Sequence, residues 1–267
     1  MNADFKINGR VIETYRLRLR SFKESDLDDF FEYAKVAGTG ERAGWKHHEN
    51  KEESKRILDT FIKNDKTFAL IYKSTNKLIG SIGVEKYDRE DELSEFANLY
   101  GRMLGAVLSK DYWNMGLMTE ALKAVIDYLF EEIKLDFLTA AYFDNNIASK
   151  KMQEKCGFKP YRKVIIDTSM GTKEAGVLNL LLNPKKDIKL NFSHPENLLY
   201  EQWKNRLLNM AHASLEVYFY TFKGFFLEVY FFSIVGCLVY FFDIFCWSIS
   251  WICQCACIGI GVFAHFI

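Results

Sequence analysis

Several signals of secreted, fibrous or nucleic-acid-binding proteins are missing from this 267-residue chain. It has three prolines, too few for a proline-rich fibre. Its 35 basic and 35 acidic side chains cancel, which argues against direct nucleic-acid binding through a broad charged surface. The first twenty residues lack the apolar core of a secretory signal, so we expect a cytoplasmic protein. With 49% hydrophobic residues, the chain can bury a core and is not disordered.

Cysteine and charge divide the chain into unlike parts. Five of the six cysteines follow residue 213, and the 54 residues from Ser214 to Ile267 carry only four charged side chains. We predict a folded domain over residues 1–187, a polar linker helix over 188–213 and an apolar tail over 214–267. The one cysteine of the charged part, Cys156, offers no disulfide framework, which fits a reducing compartment.

The apolar tail allows several interpretations. Ile244 to Ile267 is 24 residues without Asp, Glu, Lys or Arg, enough to span a bilayer, and the basic residues upstream would leave the domain in the cytoplasm. We predict a membrane-associated helix within residues 229–267. A buried helical extension, an assembly surface and a translation of shifted or non-coding sequence remain open. Cys253-x-Cys255-x-Cys257 lacks the spaced partners of a zinc site, so we expect no metal.

The hydrophobic pattern of the charged part alternates between strand and helix periods. The order is β-α-α-β-β-β-α-β-α-β-β, which predicts a mixed sheet with helices on its faces, an α/β or α+β domain. The predicted strands are 15–20, 67–72, 77–84, 99–108, 137–143, 164–168 and 177–182. The first predicted helix begins at Ser25, and the other three span residues 52–61, 116–132 and 146–155.

One stretch, Gly105 to Ala121, has the pattern of an anion site. It predicts a strand, a tight loop and a long helix, so that unpaired N–H groups and the helix dipole meet at one point. Gly116 would allow a ligand to approach the backbone closely. Taken alone, the stretch is equally compatible with an ordinary crossover.

A second stretch, Tyr142 to Phe158, predicts a strand that ends in polar residues at a helix start. Asn146 fits the position of an N-cap, which is a structural interpretation. A functional one comes only from both stretches together.

In this order and about 30 residues apart, the two stretches resemble the acetyl-CoA motif and its partner motif in the GNAT superfamily of N-acetyltransferases. Three further stretches resemble the RimJ/RimL-like branch, the ribosomal-protein-alanine acetyltransferases and their relatives. They are Glu13–Arg20, Ala43–His48 followed by Glu52-Glu53-Ser54, and Ile79–Gly83. The resemblance covers roughly residues 10–187.

This resemblance implies a GNAT-like, mostly antiparallel sheet with helices on both faces and acetyl-CoA as co-substrate. The backbone of Val107 and Leu108 would bind the pantetheine arm and the thioester carbonyl. Asn146 would contact the pantetheine arm, with Ser149 in the same motif. The pyrophosphate would lie on the loop and helix start formed by Trp113, Asn114, Met115, Gly116, Leu117, Met118 and Thr119.

Five positions depart from the pattern of these relatives. Asn114 and Met115 stand where a glycine and a basic residue are usual, and Ala106 replaces an aromatic. Met103 stands where relatives often have an acidic candidate base. Gln153 occupies the place of a tyrosine that protonates the leaving thiolate in much of the superfamily.

We therefore predict an acetyl-CoA-dependent N-acetyltransferase whose acceptor is a primary amine, either a protein N-terminus or a small molecule. The amine would attack directly in a ternary complex, with an oxyanion stabilised by backbone donors. Glu95 and His47 are weak candidates for the base, beside Glu92 and His48, and Trp45 and His47 for the acceptor site. The alternatives are a catalytically weak acyl-CoA-binding module and a membrane-tethered interaction protein.

Overall fold

The computed structural model describes residues 2–88, 93 and 95–188. These residues form an eight-stranded sheet and four α-helices. The strands are β1 Ile12–Glu13, β2 Leu17–Ser21, β3 Thr67–Tyr72, β4 Lys77–Glu85, β5 Gly101–Leu108, β6 Phe137–Phe143, β7 Lys159–Asp167 and β8 Lys173–Leu182. The helices are α1 Leu27–Ala34, α2 Lys51–Asn64, α3 Leu117–Glu131 and α4 Ile147–Lys155.

The sheet has the order β1-β2-β3-β4-β5-β6-β8-β7. Every neighbouring pair is antiparallel except β5 and β6, which are parallel. Parallel neighbours need a crossover, and α3 supplies it. The sheet is therefore mixed and mostly antiparallel, as the sequence predicts.

Both faces of the central strands are buried. In β3, Phe68 and Leu70 join a core cluster with α3, whereas Ala69 and Ile71 join a second cluster with α1 and α2. Successive side chains of a strand point to opposite faces, so a continuous apolar strand such as β3 requires a helical layer on each side. A third cluster, around Phe96 and Tyr161, lies at the β6–β8 part of the sheet.

The predicted order of elements is found, with the short strand β1 added before it. The predicted helix start at Ser25 falls in a short 3-10 helix, Glu24–Asp26, which leads directly into α1 at Leu27. Asp26 accepts hydrogen bonds from the Lys23 N–H and from Arg20, at 2.8 Å each.

Strand β7 begins at Lys159, earlier than predicted, and includes Pro160. The register of β7 on β8 shifts between Pro160 and Arg162. Proline lacks an N–H donor and is tolerated on edge strands and at bulges, and β7 is the last strand of the sheet.

The predictions for the linker and the tail fall on residues 188–267, of which only residue 188 is among the described residues. Within the described part of the chain, no helix is both long and apolar enough to cross a membrane.

Candidate active site

Strands β5 and β6 separate halfway along their length. They pair at four positions, from Gly101–Phe137 to Leu104–Ala140. Beyond that point β5 continues to Leu108, paired only with β4, and β6 continues to Phe143, paired only with β8. The gap between them is part of a cleft of about 490 Å³, within the usual range for small-ligand sites.

Two glycines border the gap, and the space available for a side chain differs between them. A Cβ on Gly105 would meet nothing within 4 Å, because this residue faces the open cleft. A Cβ on Gly80 of β4 would lie 2.4 Å from the Val107 carbonyl oxygen. Because Gly80 has no side chain, β4 can pack closely against the half of β5 that is not paired with β6. A larger residue at this position would have to push β5 towards the cleft.

The junction between β5 and α3 is a compact turn with left-handed residues. Asn114 has φ 61° and Gly116 has φ 74°. Asparagine and glycine are the residues that adopt this region most readily, so Asn114 keeps the backbone shape that the usual glycine would give. Trp113 donates from Nε1 to the Leu108 carbonyl at 2.8 Å, which folds the turn back onto the end of β5 and engages that carbonyl inside the protein.

The first turn of α3 presents its backbone donors to the cleft. Its N-cap residue, Gly116, has no side chain, and no described side chain caps this helix. The first N–H groups of a helix have no partner within it, and Leu117, Met118 and Thr119 all line the cleft. This helix start therefore has the arrangement by which helix N-termini bind anions in other proteins.

The start of α3 is held in place by Glu120. Its carboxylate accepts from the Thr14 hydroxyl at 2.6 Å, from the Arg16 N–H at 2.8 Å and from Arg16 Nε at 2.7 Å. Burial works against the charged form, yet these hydrogen bonds lower the pKa of Glu120 below its ordinary value. The donors at the helix start are thus fixed before any ligand arrives.

The junction between β6 and α4 is arranged differently. Asn146 caps α4 by accepting from the Ser149 N–H at 3.2 Å, and its Nδ2 donates to the Arg42 carbonyl at 3.2 Å. The Asn146 side chain is thus engaged at both ends, which confirms the N-cap interpretation.

Gln153 is buried beneath this junction at 2% exposure. Its Nε2 donates to the Ala141 carbonyl and to Ser149 Oγ, both at 3.1 Å. Its Oε1 accepts from Asn179 at 2.9 Å. Gln153 therefore orients Ser149 from below.

The connection between α1 and α2 covers one side of the cleft. Arg42 contributes its backbone carbonyl to Asn146 and places its guanidinium 5.0 Å from the centroid of the Trp113 ring. The Gly44 carbonyl accepts from the Ser169 N–H at 2.8 Å in the β7–β8 turn. This connection is therefore attached to elements from both borders of the gap.

Within the same connection, Glu41 accepts from the His47 ring at 2.7 Å. Burial opposes ionisation, but hydrogen bonds from His47 and from backbone N–H groups lower the pKa of Glu41 to about 2. His48 is buried against Phe30 and bonds Ser54 at 2.7 Å, and burial lowers its pKa. The sequence pattern of Trp45, His48 and Ser54 is thus explained by packing in this connection.

Most of the residues singled out from the sequence lie together. Those that line the cleft are Val107, Leu108, Trp113, Asn114, Gly116, Leu117, Met118, Thr119, Asn146 and Ser149. Met115 is exposed and does not line it, while its carbonyl accepts from Arg16 at 2.8 Å.

The candidates for the base and for the acceptor site lie elsewhere. Trp45 packs against His48 and the second core cluster, and neither it nor His47 lines the cleft. Glu95 lies between β4 and β5, outside the cleft lining, and Glu92 is outside the described residues. Among the described lining residues there is no carboxylate and no imidazole.

Besides Gln153, six polar or charged lining residues were not among the site residues predicted from the sequence: Thr39, Arg42, Tyr112, Tyr142, Lys151 and Lys155. The lysines stand one helical turn apart on α4, a spacing visible in the sequence. Arg42 and Thr39 reach the cleft only through the tertiary position of the α1–α2 connection. No local signal indicates them.

Residues 16–159, more than half of the chain, match the family described as the acetyltransferase (GNAT) domain. The chain therefore belongs to this family of acetyltransferase domains.

Three similar proteins illustrate the match. The probable N-acetyltransferase YjcK of Bacillus subtilis is 32% identical over 91 residues, which are 34% of this chain and 46% of YjcK. A GNAT-family acetyltransferase structure from Bacillus anthracis has a TM-score of 0.57 at 24% identity, covering 66% of this chain and all of that one. Spermidine N-acetyltransferase from Vibrio cholerae, solved with CoA and spermine, has a TM-score of 0.52 at 15% identity, covering 64% and 98%. The sequence match thus spans about half the length of YjcK, and the two structures share the fold.

Proposed function

We propose that the protein transfers an acetyl group from acetyl-CoA to a primary amine, as an enzyme of the RimJ/RimL-like kind. The observation that carries this proposal is the gap between β5 and β6, with the uncapped start of α3 at one border. The gap can admit a narrow chain such as pantetheine, and the helix start can hold a pyrophosphate. The Vibrio cholerae spermidine acetyltransferase, which has the same fold, binds CoA.

In this proposal the pantetheine arm lies along β5 beyond Leu104 and brings the thioester beside Val107. The apolar lining there, including Ala106 and Met118, suits the methylene groups of the arm. Lys151 and Lys155 on α4 add positive charge for the phosphates. Holding both reactants in one cleft would supply about 7–11 kcal/mol in a well-oriented case.

The reaction forms a C–N bond and breaks a C–S bond. The amine nitrogen attacks the thioester carbonyl, and the tetrahedral oxyanion is stabilised by backbone N–H donors. Its collapse releases a thiolate, which takes up a proton, while the new amide loses one.

Ser149 is suited to relay a proton from water to the thiolate, because its hydroxyl can donate one proton to the sulfur while it takes up another from a water molecule. Its Oγ already accepts a hydrogen bond from Gln153 at 3.1 Å, and the residue lines the cleft. Because the oxygen is occupied from below, the hydroxyl proton is free to donate into the cleft. Ser149 can thus serve in the place where Gln153, an amide, cannot release a proton.

No carboxylate or imidazole among the described lining residues offers itself as the base. We propose that water carries the amine proton away, and that the amine must arrive neutral. Trp45, His47 and Glu95 stay predictions for the acceptor side and the base. The reaction is proposed for the cytoplasm, and a membrane contact through residues 229–267 stays a prediction.

A thiol-release assay with acetyl-CoA and a panel of amines tests the proposal. The panel includes peptides with free N-termini, polyamines and amino acids, and the full-length chain is used. We expect release with at least one of these amines and none without an amine. Tight CoA binding in calorimetry without release from any amine would support a catalytically weak acyl-CoA-binding module instead.

A further inference from the structure

The loop that should hold the pyrophosphate has no positive charge of its own. Residues 111–122 contain no lysine or arginine. The guanidinium of Arg16, just before β2, lies against this turn, but it is ion-paired to Glu120 at 2.7 Å and donates to the Met115 carbonyl at 2.8 Å. The ammonium of Lys110 donates to the Ala37 carbonyl. Neither cation is fully available for a dianionic ligand.

Arg42 differs from these two cations, because its guanidinium forms no ion pair among the described residues. Its guanidinium lies 5.0 Å from the centroid of the Trp113 ring, an arrangement that stabilises a cation without using its N–H donors. Among the described residues, none accepts a hydrogen bond from the Arg42 side chain. The residue lines the cleft, next in space to the turn that leads into α3.

A second group in the same short segment also lacks a partner. Thr39 is 3% exposed, and within the described part of the chain its buried Oγ1 has no hydrogen-bond partner. It lines the same cleft as Arg42. A buried hydroxyl without a partner is costly, and a ligand oxygen at this wall would satisfy it.

The backbone of Arg42 is fixed independently of its side chain. Its carbonyl accepts from Asn146, and its neighbour Gly44 is bonded to the β7–β8 turn. With the backbone anchored, only the side-chain rotamers of Arg42 have to be fixed when a ligand binds, and the planar guanidinium donors match phosphate oxygens in pairs.

We propose that Arg42, assisted by Thr39, binds the pyrophosphate of CoA from the α1–α2 connection and supplies a cation that the loop before α3 lacks, in addition to the charge of Lys151 and Lys155 on α4. This inference rests on the proposed function, because it needs the pyrophosphate at the start of α3. It adds a contact from an element that contributes no residue to the two sequence motifs.

Calorimetry with CoA and with 3′-dephospho-CoA, which keeps the pyrophosphate, tests the assignment. Arg42→Gln should weaken binding of both by about tenfold. Arg42→Lys should lose less, since it keeps the charge. The dependence of log Kd on log salt should become shallower in Arg42→Gln, a change that a merely structural role would not produce.

Arg56→Gln is the matched control, because Arg56 is an exposed arginine on α2 outside the cleft lining, and it should leave both affinities unchanged. Three results would overturn the assignment. They are unchanged binding of both ligands, a loss with CoA but not with 3′-dephospho-CoA, and an increase only in the KM of the amine. A wild-type chain that binds no CoA would instead refute the proposed function itself.

Discussion

The two strand-to-helix junctions beside the cleft leave different groups free. At the β5–α3 junction, Gly116 has no side chain and the first N–H groups of α3 face the cleft. At the β6–α4 junction, both polar atoms of the Asn146 side chain are engaged: the oxygen accepts from the Ser149 N–H, and Nδ2 donates to the Arg42 carbonyl. One junction is open to an anion, and the other is braced against its neighbours. Two strand-to-helix junctions can therefore have different roles: the β5–α3 junction leaves backbone donors free for a ligand, whereas the β6–α4 junction holds neighbouring segments in place.

The largest effect should come from filling the gap itself. Gly105→Phe places a ring where a Cβ meets nothing within 4 Å, so the fold should persist while the cleft is blocked. We expect CoA affinity to fall about 100-fold or more, measured by calorimetry. Gly105→Ala is the matched control and should fall far less. Normal CoA binding by a folded Gly105→Phe chain would place the ligand elsewhere.

A substitution at the β6–α4 junction should lower kcat without an equal loss of CoA affinity. Ser149→Ala removes the hydroxyl that Gln153 orients, and we expect kcat to fall about tenfold to a hundredfold with little change in CoA affinity. Steady-state kinetics and calorimetry together check this. Asn179→Ala, which removes the bond to Gln153 at 2.9 Å, should lower kcat in the same direction but less. A fall in CoA affinity equal to the fall in kcat would assign Ser149 to binding alone.

Substitutions at the two junctions should cost similar stability but should change CoA affinity to different extents. Asn146→Ala should cost about 1 kcal/mol of unfolding free energy as a lost N-cap, with CoA affinity changed less than threefold. Gly116→Ala strains a residue at φ 74° and should cost about 1 kcal/mol as well as weaken CoA. Denaturant unfolding and calorimetry measure both quantities. An affinity loss in Asn146→Ala as large as in Gly116→Ala would favour the pantetheine contact that the family resemblance implies.

The smallest effect should be a pH-dependent change in stability from the connection between α1 and α2, which covers one side of the cleft. A carboxyl whose pKa is lowered on folding stabilises the protein above its unfolded pKa, and the contribution disappears as the pH falls through the folded value. For Glu41 this window extends from about 4.5 down to about 2. Glu41→Gln should therefore cost about 1 kcal/mol near pH 7, and the difference from the wild type should shrink below about pH 4.5.

Thermal melts across this pH range measure the difference. Glu49→Gln, an exposed carboxylate in the same connection, is the control with little effect. A difference for Glu41→Gln that stays constant down to pH 3 would contradict the role of its charge.

The sequence predicts the order of strands and helices along the chain and the turn before α3, because each depends on local periodicity or on residues close in the chain. Alternation in β2 and the apolar stripe of α3 are examples. The point where β5 and β6 separate was not predictable from either strand alone. It depends on pairing with β4 and β8 and on Gly80 beside Val107.

The remaining site residues depend on the tertiary fold. Arg42 and Thr39 lie in a loop more than 60 residues before the turn that they face, and the neighbouring sequence indicates an acceptor site and not a phosphate contact. Conversely, His47 has the chemistry of a base but is bonded to Glu41 outside the cleft. Residue type suggests chemistry, whereas only the packing of the chain decides which groups reach the gap.

A crystal structure of the full-length chain with CoA tests the central claim most directly. The account predicts the pantetheine arm between β5 and β6, its sulfur beside Val107, and the pyrophosphate at the start of α3. CoA bound at another surface, with the gap empty, would contradict it.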